Sequence, residues 1–130
     1  MATLSAAQAR ELAADFHDLA VELGHYRFDN WDKLSPTQRS KLEGLQWTLL
    51  NYSSDFSSQA IAITLSDLDA TLKNIKGATD QAEKAIKTIE TVDKVFRLAV
   101  AGTVLGAAIM SGNATGIVDA VKGLYDAATT

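Results

Sequence analysis

Residues 65–110 read LSDLDATLKNIKGATDQAEKAIKTIETVDKVFRLAVAGTVLGAAIM, and the interpretation of this stretch decides the fold. Leu65, Leu68, Leu72, Ile75, Thr79, Ala82, Ile86, Ile89, Asp93 and Phe96 recur in steps of three and four, the heptad spacing of a helix with one seam against its neighbours. Gly77 interrupts the pattern chemically without shifting its phase, at about 1 kcal/mol relative to alanine. The kept phase favours one long helix over residues 58–110. The alternative is that Gly77 ends one helix and Thr79 or Asp80 caps the next.

The end of this stretch, Val95 to Met110, carries a single charge, Arg97, and is apolar on every face. Its sixteen residues rise about 24 Å, short of the roughly 30 Å of a bilayer core, so burial in protein is the default expectation. Gly102-x-x-x-Gly106 has the small-residue spacing that lets two helices approach closely. Ser111-Gly112-Asn113 punctuates the chain, and Ala114, Ile117, Val121, Leu124 and Ala128 form a last amphipathic stripe over 113–128. Residues of about 95–128 are thus expected to form an apolar helical hairpin.

Upstream, Ser5 is positioned to cap a helix over 5–28 whose buried stripe is Leu12, Phe16, Leu19, Leu23 and Tyr26. Asp29-Asn30-Trp31-Asp32 is its exit. Ser35-Pro36 opens a second helix over 36–54, because serine caps and proline suits the first helical position. Leu42, Leu45, Leu49, Tyr52 and Phe56 form its stripe, while Ser53, Ser54, Ser57 and Ser58 predict a kink or break near 53–58. No strand-like alternation of useful length occurs. The expected fold is all-α, an antiparallel bundle of about four helices in one domain over 1–130, the third helix long and heptad-patterned.

Two charge stripes accompany the apolar ones. Glu11, Asp15, Asp18 and Glu22, continued by His25 and Asp29, lie beside the stripe of the first helix. Lys84, Lys87, Lys94 and Arg97, with Lys73 and Lys76 before them, flank the heptad seam of the third. The pair of stripes predicts an acidic helix lying beside a basic one, within one chain or between two, selecting orientation more than adding stability. The same basic residues suit an anionic membrane surface.

Enzyme signatures are absent: no G-x-S-x-G, no H-E-x-x-H, no phosphate-cradling glycine loop, and with no cysteine in the chain neither a thiol nucleophile nor a disulfide. Glu22-x-x-His25 is a single pair where a di-metal bundle needs several, and Asp29 to Asp32 lacks the length and glycine of a calcium loop, so no metal or cofactor is expected. A net charge of −4 leaves no basic footprint for nucleic acid. Met1 to Arg10 has neither a basic nor an apolar region of the secretory kind, so the reading is a soluble protein, cytoplasmic or exported by another route.

The layout from Leu72 to Leu124, a heptad helix running into an apolar segment, a Gly-Asn turn and a second apolar arm, resembles that of α-helical pore-forming toxins of the haemolysin E type. That resemblance implies a bundle that hides its hairpin until it meets a membrane or assembles. Asp119, Lys122 and Asp126 in the second arm favour an interfacial over a spanning position, since a charge at the bilayer centre costs about 2.5 to 3.5 kcal/mol. The functional expectation is a non-enzymatic helical interaction protein that acts through helix packing, self-association included, with Gly102, Gly106 and the two charge stripes as the candidate contacts. A membrane-active helical protein is the alternative, and a small-ligand or metal-binding bundle the third.

Overall fold

The computed structural model describes residues 2–58, 64–65, 67–88 and 91–130. It is all-helical, with five α-helices: α1 (Ala6–Asp29), α2 (Pro36–Ser58), α3 (Leu68–Thr88), α4 (Val92–Ser111) and α5 (Ala114–Thr129). A short 3₁₀ turn, Trp31–Lys33, joins the first two. A two-residue antiparallel pairing of β1 (Ala2–Thr3) with β2 (Thr64–Leu65) closes one end, where Leu4 and Leu65 are buried.

The helix starts follow local chemistry. Ser5 Oγ accepts from the Gln8 amide at 3.1 Å while Gln8 Oε1 accepts from the Ser5 amide at 2.9 Å, a reciprocal capping box. Ser35 and Gln38 repeat it at the head of α2. Gly112, at φ +71°, closes α4 in the left-handed conformation that suits glycine, and Asn113 Oδ1 then caps α5 by accepting from the Gly116 amide at 2.8 Å.

Each helix reverses the direction of the one before. Gln46 meets Gly24, and Ser53 Oγ donates to the Ala13 carbonyl at 2.7 Å, so α2 runs antiparallel to α1. Asp15 faces Lys76 and Glu22 faces Lys87, so α3 runs parallel to α1. Leu49 sits over Gly102 and Tyr52 over Gly106, so α4 runs parallel to α2. Lys94 reaches the Thr130 carbonyl, so α5 returns along α4. Neighbours form a closed ring in the order α2, α1, α3, α5, α4 and back to α2, around one continuous core. Phe16 and Phe56 meet edge to face within it, ring centroids 5.0 Å apart.

Three sequence expectations are corrected. The long third helix over 58–110 is two helices, and the division falls between Thr88 and Val92 rather than at Gly77, which lies inside α3. A straight helix of that length would extend about 80 Å, while α1 spans about 36 Å, so its apolar half would have had nothing to lie against. Turning back lets α4 be covered by α2 and α5 together. The buried face of α4 is Val95, Leu98, Ala99, Gly102, Leu105, Gly106 and Ile109, leaving the expected seam residue Phe96 partly exposed and Asp93 exposed. Ile89, another seam residue, lies outside the described residues.

Leu65, read as the start of the heptad, is buried from an extended segment, not a helix. The break expected at 53–58 does not form. There α2 is continuous because Ser53 bonds across to α1, Ser58 bonds back to Ser54, and Phe56 is buried, so tertiary contacts override weak helix propensity.

The approach of α4 to its neighbours generates a graded prediction. A Cβ at Gly106 would stand 2.5 Å from Tyr52 Cδ2 and within 2.9 Å of two further ring atoms, whereas at Gly102 the nearest atom is Leu19 Cδ2 at 3.0 Å. A ring packed on its face yields less than a leucine methyl. Gly106→Ala is therefore expected to lower unfolding free energy by about 1–3 kcal/mol, and Gly102→Ala by less, in urea titrations. Equal effects would show that the Tyr52 ring is free to move aside.

Candidate functional site

Among the described residues three surfaces stand out: the charged seam between α1 and α3, the outer face of the α4–α5 hairpin, and an aromatic patch where α1 meets α2.

The periodicity of α1 sets Glu11, Asp15, Asp18 and Glu22 along one edge of its buried stripe, and packing on α3 draws two of them inward. Asp15 is only 12% exposed and Glu22 16%. Lys76 Nζ lies 4.0 Å from Asp15 and 3.5 Å from Asp80, and Lys87 Nζ lies 3.5 Å from Glu22. Of the basic candidates, then, Lys87 meets the acidic stripe, joined by Lys76. Lys84 and Arg97 are exposed and form no ion pair among the described residues, and Lys94 donates to the Thr130 carbonyl at 2.7 Å.

The sequence reading missed that α3 brings acids of its own to this seam, Asp80 and Glu83. Burial pushes the Asp15 carboxyl up to about 7; Lys76 opposes this, while Asp80, Asp18 and Glu11 add to it. Burial likewise raises Glu83 to about 7, with Asp18, Asp80 and Glu22 adding and Lys87 opposing. Six carboxylates share the seam with two lysines, so helix pairing here is held by apolar packing beneath the charges rather than by the charges. At its lower end Glu22, His25, Asp29 and Lys87 line an open polar cleft of 590 Å³. Among the described residues no group of three or more His, Asp or Glu is placed to hold a metal.

The second surface arises because α4 has more apolar residues than its neighbours can cover. Gly102 and Gly106 face inward against Leu19, Leu49 and Tyr52. On the opposite side Val100 is 48% and Val104 53% exposed, with Ala107 exposed on the same stripe and Met110 beside it. Val104 and Ala101 form one wall of a shallow apolar trough of 330 Å³ whose other side is Gly116, Asp119, Ala120 and Gly123 of α5. Small residues on both walls let an incoming helix come close to the backbone. Sequence spacing could not select this stripe, since Val95 to Met110 is apolar all round and only the neighbours determine which face stays bare.

A third patch sits where α1 meets α2. Phe28 and Trp31 stack with centroids 6.2 Å apart, Arg39 lies 4.4 Å over the Trp31 ring, and Arg27 bonds Glu43 at 3.2 Å. Trp47 is exposed further along α2. In comparisons with known proteins, no family model matches the chain, and no curated protein or solved structure matches it.

The seam predicts a pH dependence of stability. Asp15 and Glu83 have ordinary values of 3.8 and 4.5 and folded values of about 7, so the folded state holds their protons more tightly than the unfolded state. Their favourable contribution is complete below about pH 4 and is lost as pH rises through 7. Asp15→Asn with Glu83→Gln is expected to stabilise the protein by on the order of 1–3 kcal/mol at pH 8 and to change it little at pH 4. Urea unfolding at the two pH values checks this, and an equal effect at both would refute it.

Proposed function

We propose that this chain is a non-enzymatic interaction protein that self-associates by helix packing through the outer face of α4 and the adjoining trough on α5. The observation that carries the reading is the bare valine stripe. Among the described residues, three of the eight exposed large hydrophobic residues, Val100, Val104 and Met110, lie on α4, although that helix belongs to a ring whose core is otherwise closed. Contiguous exposed apolar surface on a small folded chain marks a place where something else docks. Val100 and Val104 are one helical turn apart, the spacing with which a second helix is met, and the glycines and alanines of the trough admit it closely. The candidate contacts read from sequence divide accordingly. Gly102, Gly106, Asp15, Glu22 and Lys87 serve contacts within the chain, while Lys84 and Arg97 remain free to meet acidic groups of a partner.

One observation favours a second reading, contact with a membrane. Val92–Ser111 is long and apolar enough to cross a bilayer, with mean hydropathy 1.4 over its best window, 39% of which is buried. Its twenty residues extend about 30 Å. Val100 and Val104 would then meet acyl chains, and Lys84, Lys87, Lys94 and Arg97 an anionic headgroup layer, each contributing about 1 kcal/mol near such a surface.

Sedimentation velocity across a concentration series, with vesicle flotation and dye leakage alongside, separates the two. Val104→Asp replaces a half-exposed side chain and so leaves the fold intact. Self-association predicts a concentration-dependent dimer in the native protein and a monomer in Val104→Asp, with no binding to neutral or anionic vesicles. A native protein that stays monomeric would sink the self-association reading. Leakage abolished by the aspartate would establish the membrane reading in its place.

A further inference from the structure

A second concave surface lies on the opposite side of α5 from the trough, between α5 and α3, and differs from it in charge. It is a slot of 460 Å³, within the range that takes one small ligand. Ala78 and Ile117 are buried at its base, Val121 is partly buried, and Val118 and Tyr125 are exposed on its α5 side. Gly77 opens the slot on the α3 side. Glycine is a poor helix former, its backbone here is helical, and a Cβ at this position would meet nothing within 4 Å, so neither backbone geometry nor packing requires it. Any larger side chain at Gly77 would stand in the slot.

Charge indicates the occupant. Lys73 stands on the α3 wall and Lys122 on the α5 wall, and no carboxylate lines the slot. Among the described residues neither lysine forms an ion pair, whereas Lys76, with which Lys73 also lines a cleft against α1, pairs with Asp15 and Asp80. Two unpaired ammonium groups flanking an apolar slot, on a chain of net charge −4, select a molecule with one hydrocarbon body and an anionic head. We propose that the slot binds a free long-chain fatty acid, its acyl chain lying along Ala78, Ile117, Val118 and Val121 and its carboxylate held by Lys73 and Lys122. A concave slot with a closed base accommodates a single chain, whereas a bilayer would rest on a flat face such as the outer side of α4.

The experiment is displacement of a fluorescent fatty acid from the purified protein by oleate, with oleyl alcohol as the uncharged analogue. The expected result is saturable binding of one probe per chain, with oleate competing at least about tenfold better than the alcohol. Lys73→Gln with Lys122→Gln should remove that preference by weakening oleate alone. Gly77→Leu, which improves helix propensity while filling the slot, and Val118→Glu, which sets a carboxylate at an exposed position in it, should each abolish binding with unchanged helicity. Val104→Asp on α4 should leave binding intact, so failure of the self-association reading and failure of this one are distinguishable. Absence of saturable binding overturns the proposal. So does equal competition by oleate and its alcohol, or binding that survives Gly77→Leu in a folded protein. Capture of the protein by phosphatidylglycerol vesicles without binding of monomeric oleate also overturns it, and assigns the lysines to a membrane surface.

Discussion

The Tyr52 ring lies against the backbone of α4 at Gly106, and Leu19 and Leu49 close over Gly102 one turn earlier. A helix as apolar as α4 must be covered by something, and these two glycines allow α2 and α1 to reach its backbone. Once α4 is seated there, α3 cannot continue into it as one rod, since its own neighbours are α1 and α5. The reversal of direction from α3 to α4, the return of α5 along α4, and the closing of the ring at α2 all follow from that seat. So does the bare stripe: a helix held by one face leaves the valines of its other face to solvent or to a partner.

The α1–α3 seam shows a different balance. Charges there were expected to align two helices by attraction, yet Asp80 and Glu83 make the seam predominantly acidic, with Lys76 and Lys87 offsetting only part of it. The pairing persists because Leu12, Phe16, Leu19, Ile75, Ala82 and Ile86 are buried beneath it. Burying a Leu or Phe side chain contributes roughly 1.5–3 kcal/mol, which outweighs the repulsion of partly protonated carboxyls.

What the sequence reveals and what it hides divide along physical lines. Ser5, Ser35-Pro36 and Gly112-Asn113 could be read because a cap is a local hydrogen-bonding event whose residues lie within four positions of one another. The close approach at Gly102 and Gly106 was readable for a similar reason. The division of α3 from α4 was not, because the apolar phase of the sequence runs on past Thr88 and the need to fold back comes from the lengths of helices elsewhere in the chain. Leu65 kept the heptad phase yet is extended, since periodicity reports which residues are buried and not the backbone that buries them. The acids of the seam and the exposed valines were hidden for a common reason: spacing places a residue on a face, but only the neighbours decide what that face meets.

The central claim is that the outer stripe of α4 is a contact between copies of this chain. The natural absence of cysteine permits a direct test, in which a single thiol is placed at Ala107, exposed on that stripe, or at Asn51, exposed on α2. With a flexible bifunctional maleimide at low protein concentration, Ala107→Cys is expected to give a covalent dimer rapidly, and to lose it when combined with Val104→Asp. Asn51→Cys is expected to remain monomeric. Cross-linking no faster at Ala107→Cys than at Asn51→Cys would contradict the account.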